Sequence, residues 1–221
     1  MGRDTREAVL RAAEALFAEQ GFRRTTLRAI TRAAGVNLAA VHYHFGSKQA
    51  LIEAVFARRI VPMNRERLRR LEAWEAAAQA DLEGLIDAFA GPPLELARRP
   101  GGAVFVRLLG RSYTEPDPRL QAALRDLYEP VIERFKRAFA GVLPGLPPEE
   151  LYWRLHFLVG LLAYLMSGAD LMRLIASCRL CEPGDTAAIQ ARLRGFVAAG
   201  LRAPAPGMAA GPVPAGAASD G

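Results

Sequence analysis

The sequence predicts an all-α protein in two parts, an N-terminal three-helix helix-turn-helix unit over residues 1–47 and a larger helical domain over residues 76–202. Three observations carry this expectation. Apolar residues recur three and four positions apart along most of the 221 residues, the spacing of one helix face, and runs of Val, Ile and Thr with period-two alternation are missing. Hydrophobic residues make up 51% of the chain, enough for a sizeable core, and the length suits one small module plus one larger one. Charge divides in the same way: residues 1–70 hold 14 Lys or Arg against 6 Asp or Glu, a balance of +8, while residues 71–221 hold 15 against 17, a balance of −2. A basic excess confined to one end is the electrostatic footprint of a module that meets nucleic acid.

The first helix opens with Asp4 and Glu7 in capping-box positions and places Val9, Leu10, Ala13, Leu16 and Phe17 on one face as far as Glu19. Gly21 ends it, and Phe22 packs beneath the turn. Two short helices follow within Thr25–Lys48. Leu27 and Ile30 face inward in the first, and Gly35 stops it. Asn37 caps the second, whose Leu38, Val41 and Phe45 repeat at three and four before Gly46. Helices this short are marginal alone and must be held by neighbours. Their outward residues Ala39, Ala40, His42, Tyr43 and His44 carry no carboxylate, unlike a solvated face laced with Glu and Lys pairs. Tyr and His reach phosphates, and small apolar side chains approach thymine methyls, so this face suits a groove of double-stranded DNA. Ser47 caps the next helix and puts Lys48 in its first turn, where the helix dipole disfavours a cation and a bound phosphate would reverse that cost.

Residues 48–75 read as a connecting helix kinked at Pro62, with Leu51, Ile52, Val55, Phe56 and Ile60 inward, followed by the charged stretch NRERLRRLEAWE. Beyond it the spacing predicts a helix from Leu82 to Ala90, a break at Gly91-Pro92-Pro93, a short segment through Arg98, and a helix from Val104 to Tyr113. A further break at Glu115-Pro116-Asp117-Pro118 precedes a helix over 119–140, with Leu120, Leu124, Leu127, Val131, Phe135 and Phe139 inward and a kink at Pro130. The next helix begins near Pro148 and is apolar almost all round, so it needs one partner inside its own domain and one outside. The simplest outer partner is a second copy, in an isologous homodimer through this helix and the last one, Thr186 to Leu201. Leu155, Leu158, Gly160, Leu162 and Phe196 are the expected interface residues, with Gly160, Ala163 and Gly168 permitting close approach. Residues 203–221 are Ala, Pro and Gly with almost no charge and are expected to be a disordered tail, dispensable for DNA binding.

The pattern LFAEQGFRRTTLRAITRAAGVNLAAVHYHFGSKQAL resembles the DNA-binding domain of TetR-type transcriptional regulators. Its Gly-Phe turn, Thr-Thr cap, Ala-Gly-Val turn and Tyr-x-x-Gly-x-Lys ending stand at fixed spacing over about 45 residues. The resemblance implies a homodimeric, all-helical repressor whose C-terminal domain binds a small ligand that alters the DNA-binding heads. It implies phosphate contacts from Thr25 and Thr26. Arg28 is then placed to reach a base edge, and Asn37, Leu38, Ala39 and Ala40 open the recognition helix. Tyr43, His44 and Lys48 become backbone anchors. His42 stands where the family often has a Tyr, so its part is open between base and phosphate.

FVRLLGRSY and LPPEELYWRLHFLVG, with the Met-Ser-Gly after them, are similar to PsrA-type regulators, a TetR subgroup associated with fatty-acid or acyl-CoA signals. That resemblance implies a long, apolar effector. Phe89, Phe105, Tyr113, Phe135, Trp153, Phe157 and Tyr164 are candidates to line its cavity, with His156 or Arg107 for a polar head; each aromatic at helical spacing could equally be plain core.

Other classes find little in the residues. No signal-peptide pattern opens the chain, and the longest apolar run, about 13 residues from Phe157, is too short to span a bilayer, so a cytoplasmic protein without membrane partners is expected. Cys178 and Cys181 form one C-x-x-C without a second pair, and His42 and His44, two apart on a helix, point in different directions, so no metal or other cofactor is expected. An enzyme is not expected either: there is no glycine-rich phosphate loop and no nucleophile elbow.

Overall fold

The computed structural model describes residues 2–96, 98–114, 118–166 and 185–206. Among the described residues there are nine helices and no strand: α1 Gly2–Arg24, α2 Leu27–Ala34, α3 Leu38–Phe45, α4 Lys48–Glu75, α5 Leu82–Leu96, α6 Gly102–Thr114, α7 Pro118–Val142, α8 Pro148–Met166 and α9 Thr186–Arg202. Gly168, the C-x-x-C at Cys178 and Cys181, and the chain from Gly207 onward lie outside the described residues.

Local chemistry sets the boundaries of the N-terminal helices. Gly21 turns the chain sharply at φ 80° and ψ 168°, a conformation open to glycine, so the regular part of α1 stops there. Phe22 then folds under the turn, 5.5 Å from the Phe17 ring and 6.0 Å from that of Phe56. Thr26, Asn37 and Ser47 each accept an N–H three residues on, from Ala29 at 3.1 Å, Ala40 at 2.8 Å and Ser47's partner Ala50 at 3.1 Å, satisfying orphan donors at the starts of α2, α3 and α4. Gly35 closes α2 in the left-handed region, and its N–H and that of Val36 bond back to Arg32 and Thr31. Val9, Leu10, Phe17, Ile30, Val41, Leu51 and Val55 interlock beneath these short helices.

The head joins the larger domain through α4 and through α1 against α6. Phe105 of α6, expected in a ligand cavity, instead sits at this junction, fully buried with its ring 5.9 Å from Phe56. Around α4 the C-terminal domain packs α5 and α7, with α9 on the other side of α5 and α8 against α6, α7 and α9.

The expected break at Gly91-Pro92-Pro93 turns out to be helical. α4 is a helix that contains Pro62, and α5 continues through Pro92 and Pro93 to Leu96. A proline inside a helix leaves the carbonyl four residues earlier without its donor. For Pro93 that carbonyl belongs to Phe89, and the Arg67 Nε–H supplies the missing bond at 2.9 Å. Gly91, Pro92 and Pro93 are buried, so tertiary packing overrides the local preference for a break. Arg67 is 5% exposed although it lies in the charged stretch NRERLRRLEAWE. The signal was present: Arg67 falls seven after Ile60 and four before Leu71, on the same inward stripe.

The start of the tail also departs from expectation. Arg154 of α8, 9% exposed, donates from Nη1 to the carbonyls of Gly200, Leu201 and Ala203 at 2.9, 3.0 and 2.6 Å, and from Nη2 to that of Pro204 at 3.2 Å. One guanidinium therefore caps the C-terminus of α9 and holds the chain beyond it, and Ala205 is buried.

Candidate nucleic-acid interface and effector cavity

α2 and α3 present one continuous exposed surface. Thr26, Arg28, Asn37, Leu38, Ala39, His42 and Tyr43 are all exposed, Tyr43 at 85%, while Ala40, His44 and Lys48 are half-buried at its edge. Thr26 uses its oxygen as an acceptor for the Ala29 N–H, which leaves its O–H free to donate outward. The His42 Nδ1 lies 3.1 Å from the Gly46 carbonyl; a carbonyl only accepts, so Nδ1 carries the proton and Nε2 faces outward. Tyr43 and His44 meet edge to face at 5.1 Å. Burial lowers the pKa of the Lys48 ammonium, the direction expected of a cation with no anion beside it.

Thr25 is placed elsewhere. It is fully buried, and its hydroxyl donates to the Gly21 carbonyl at 2.8 Å and also approaches that of Leu16 at 3.2 Å. The Gly21 carbonyl also takes the Thr25 N–H at 3.4 Å, so the buried hydroxyl reinforces the turn, holds α2 onto α1 and has no path to a phosphate.

In the C-terminal domain a cavity of about 260 Å³ opens between α5, α7 and α8. Phe89, Ile132, Phe135, Phe139, Leu155 and Val159 form its apolar wall, and Lys136, Tyr152 and His156 form a more polar side. The Lys136 Nζ lies 4.8 Å over the Tyr152 ring and pairs with Glu133 at 2.7 Å, which raises the lysine's pKa. Of the candidate lining residues only Phe89, Phe135 and His156 reach this cavity. Arg107 is exposed on α6 away from it, and the side chain of Tyr113 lies outside the described residues. Lys136 escaped the sequence reading because nothing in spacing separates it from a solvated lysine.

Trp153, Phe157 and Tyr164 leave the cavity for the opposite edge of α8, with 54%, 58% and 42% of their surface exposed. Together with Gly160 they make an apolar stripe at helical spacing, and Phe196 of α9, the helix packed against α8, is 71% exposed. Two expected interface residues are corrected in the other direction: Leu158 and Leu162 are 1% and 3% exposed and belong to the domain's own core, and half-buried Leu155 lines the cavity. The reason is angular, since residues 153, 157, 160 and 164 share one edge of the helix and 151, 158 and 162 the opposite one.

Among the described residues no group of His, Cys, Asp and Glu could hold a metal ion, and no helix is long and apolar enough to cross a membrane. Against known proteins the two parts match separately. Residues 9–55 match the model of "Bacterial regulatory proteins, tetR family", and residues 87–200 that of "Tetracyclin repressor-like, C-terminal domain". The chain is 32% identical over 190 residues to the HTH-type transcriptional repressor Rv1474c of Mycobacterium tuberculosis, covering 80% of this chain and 90% of that one. Among solved structures it resembles NalD of Pseudomonas aeruginosa, the secondary repressor of the MexAB-OprM multidrug efflux pump, with TM-score 0.64, 25% identity, and 89% and 98% of the two chains covered. It shares its fold with the fatty acid degradation regulator FadR of Bacillus halodurans, with TM-score 0.60, 16% identity, and 90% and 96% covered. With an exposed, acid-free α2–α3 surface at one end, a walled cavity at the other, and matches over both, the chain belongs to the TetR family of bacterial transcriptional regulators.

Proposed function

We propose that the protein is a homodimeric repressor that binds a palindromic operator in the cytoplasm and is controlled by an apolar effector in the cavity between α5, α7 and α8. The observation that carries the effector reading is the composition of that cavity: three phenylalanines and three aliphatic side chains make the wall, with Lys136 and His156 at one side. An alkyl chain fits such a wall, and an anionic head fits the lysine, so a fatty acid, an acyl-CoA or a similar amphipathic acid is the favoured class, in keeping with the PsrA-type resemblance. At about 260 Å³ the space lies just below the usual range for drug-sized ligands, which favours a medium-length chain over a bulky one.

Dimerisation rests on the stripe of Trp153, Phe157, Gly160 and Tyr164 and on Phe196 of α9, large apolar groups that water would otherwise face. The self-complementary use of one patch on two copies is the expected arrangement. Each head then enters one major groove, with Arg28 and the Asn37–His42 edge reading bases and Thr26, Tyr43, His44 and Lys48 holding the backbone.

A second reading has its own observation. Phe89, Phe135, Phe139 and Tyr152 give the cavity an aromatic lining suited to a planar compound, and NalD represses a multidrug efflux pump. One experiment separates the two: operator affinity is measured by mobility shift with decanoate, an acyl-CoA series and planar aromatic compounds. A change with the acids alone supports the first reading, a change with aromatics alone the second, and no change with any of them would make a constitutive architectural DNA-binding protein the better description.

A further inference from the structure

A second cavity, of about 150 Å³, lies between α4 and α5 beneath the head and shares no lining residue with the apolar one. Arg58, Arg59, Glu66, Glu95 and Arg99 supply its polar lining. We propose that it is a binding site for a phosphate group, either inorganic phosphate or the phosphate of a small ester.

The charge arrangement around it is incomplete. Glu66 is held by Arg69 and Arg70, each at 2.7 Å, which pulls its pKa down to about 2, and Glu95 is held by Arg70 at 2.8 Å. Arg59 takes both oxygens of Glu14, at 3.0 and 3.1 Å, and Arg58 reaches Glu7 at 2.8 Å. Five guanidiniums thus face four carboxylates. The one left over is Arg99, which pairs with no carboxylate among the described residues. The orphan donor is the Nη1 of Arg58, which is buried and makes no hydrogen bond, with Glu14 no nearer than 3.8 Å. Arg58 and Arg99 both line the cavity, so an oxyanion there would lie against a guanidinium that has no carboxylate partner and beside one whose Nη1 lacks an acceptor.

The surroundings are fitted to the guanidiniums. Gly101, in the turn that follows Arg99, has φ 71°, a conformation that favours glycine, and a Cβ there would press on the Arg59 Nη2 at 3.0 Å. The space equals that of about five waters, room for a phosphate group and too little for an apolar effector. Planar, fork-shaped guanidinium is the side chain suited to phosphate oxygens. Through Glu7 and Glu14 the same arginines grip α1, so an anion here would tie the head, α4 and the α5–α6 turn together.

The test uses the full-length protein, titrated with inorganic phosphate and separately with glycerol 3-phosphate against chloride at matched ionic strength, following the heat of binding and the thermal midpoint. Saturable binding of either, weakened at least tenfold by Arg99→Gln and kept in Lys48→Ala, supports the site. Binding of phosphate alone or of the ester alone identifies the source of the group. A response that never saturates beyond that of chloride, or one lost in Lys48→Ala and kept in Arg99→Gln, overturns the proposal and places the anion on the DNA-binding head. The apolar-effector reading stands or falls separately, since it concerns a different cavity.

Discussion

Two adjacent threonines illustrate how far residue type alone can carry a role. Thr25 and Thr26 are chemically identical and both stand at the start of α2, yet one is fully buried and the other is the exposed N-cap. Thr25→Val should lower stability by about 1 kcal/mol, the net worth of its buried hydroxyl bond, since the Gly21 carbonyl keeps the backbone N–H, while DNA affinity per folded molecule stays constant. Thr26→Ala should lose about 1 kcal/mol of capping and also weaken all DNA alike. Urea unfolding paired with mobility shift reads both changes. Arg28→Ala should weaken operator more than random DNA, by roughly 1–3 kcal/mol, whereas Lys48→Ala should weaken both equally and reduce the salt slope by about 1; equal losses in Arg28→Ala would remove it from the base readers. Glu66 gives a pH signature. Its carboxyl, held by Arg69 and Arg70, has a folded pKa of about 2 against an ordinary 4.5, so its stabilisation is complete above the unfolded value and disappears as pH falls towards 2. Glu66→Gln should flatten that part of the acid-unfolding curve.

Helices were legible wherever a residue's local chemistry decides the outcome. The caps at Asn37 and Ser47 and the stops at Gly21 and Gly35 are read directly, because each side chain or left-handed glycine acts within three or four residues of itself, whereas Thr26 rather than Thr25 as the cap of α2 emerges only from the structure. Prolines 92 and 93 misled because the bond that offsets Pro93 comes from Arg67, 22 residues before the carbonyl it meets. Arg67→Leu should therefore cost about 1–3 kcal/mol, since it strands the Phe89 carbonyl, and circular dichroism should show helix lost. Arg154 carries a similar lesson for the C-terminus. Ending the chain after Arg202 removes the Ala203 and Pro204 carbonyls from its guanidinium, whereas ending it after Pro206 keeps all four acceptors. The shorter truncation should unfold at a lower temperature than the longer one, by several degrees for a loss of about 1–2 kcal/mol.

At the scale of the whole molecule, the division of charge at residue 70 and the family pattern over the head foretold the all-α class and the acid-free surface. The cavity was only partly legible, since helical periodicity says that a residue faces inward without saying which of two inward spaces it reaches. Phe105 and Phe135 carry the same sequence signal, and one packs on the head while the other walls the cavity. The same ambiguity hides the outer stripe, because Trp153 and Phe157 have the spacing of lining residues and yet are exposed. The proposed dimer through this stripe predicts that Phe157→Asp shifts the protein towards monomer by sedimentation and weakens operator binding far more than Arg28→Ala does. Lastly, α4 has Lys48 at one end and Arg67 and Arg70 under the cavity wall near the other. Its 28 residues make a rod of about 42 Å. A tilt of about 5° pivoting at the far end would swing Lys48 through nearly 4 Å, while an N–H···O bond tolerates only about half an ångström of stretch. Under the proposed function, a rod of that length turns a shift of about 1 Å beneath Phe89 into the making or breaking of a contact at the DNA, so the proposed effector needs to move the cavity wall very little.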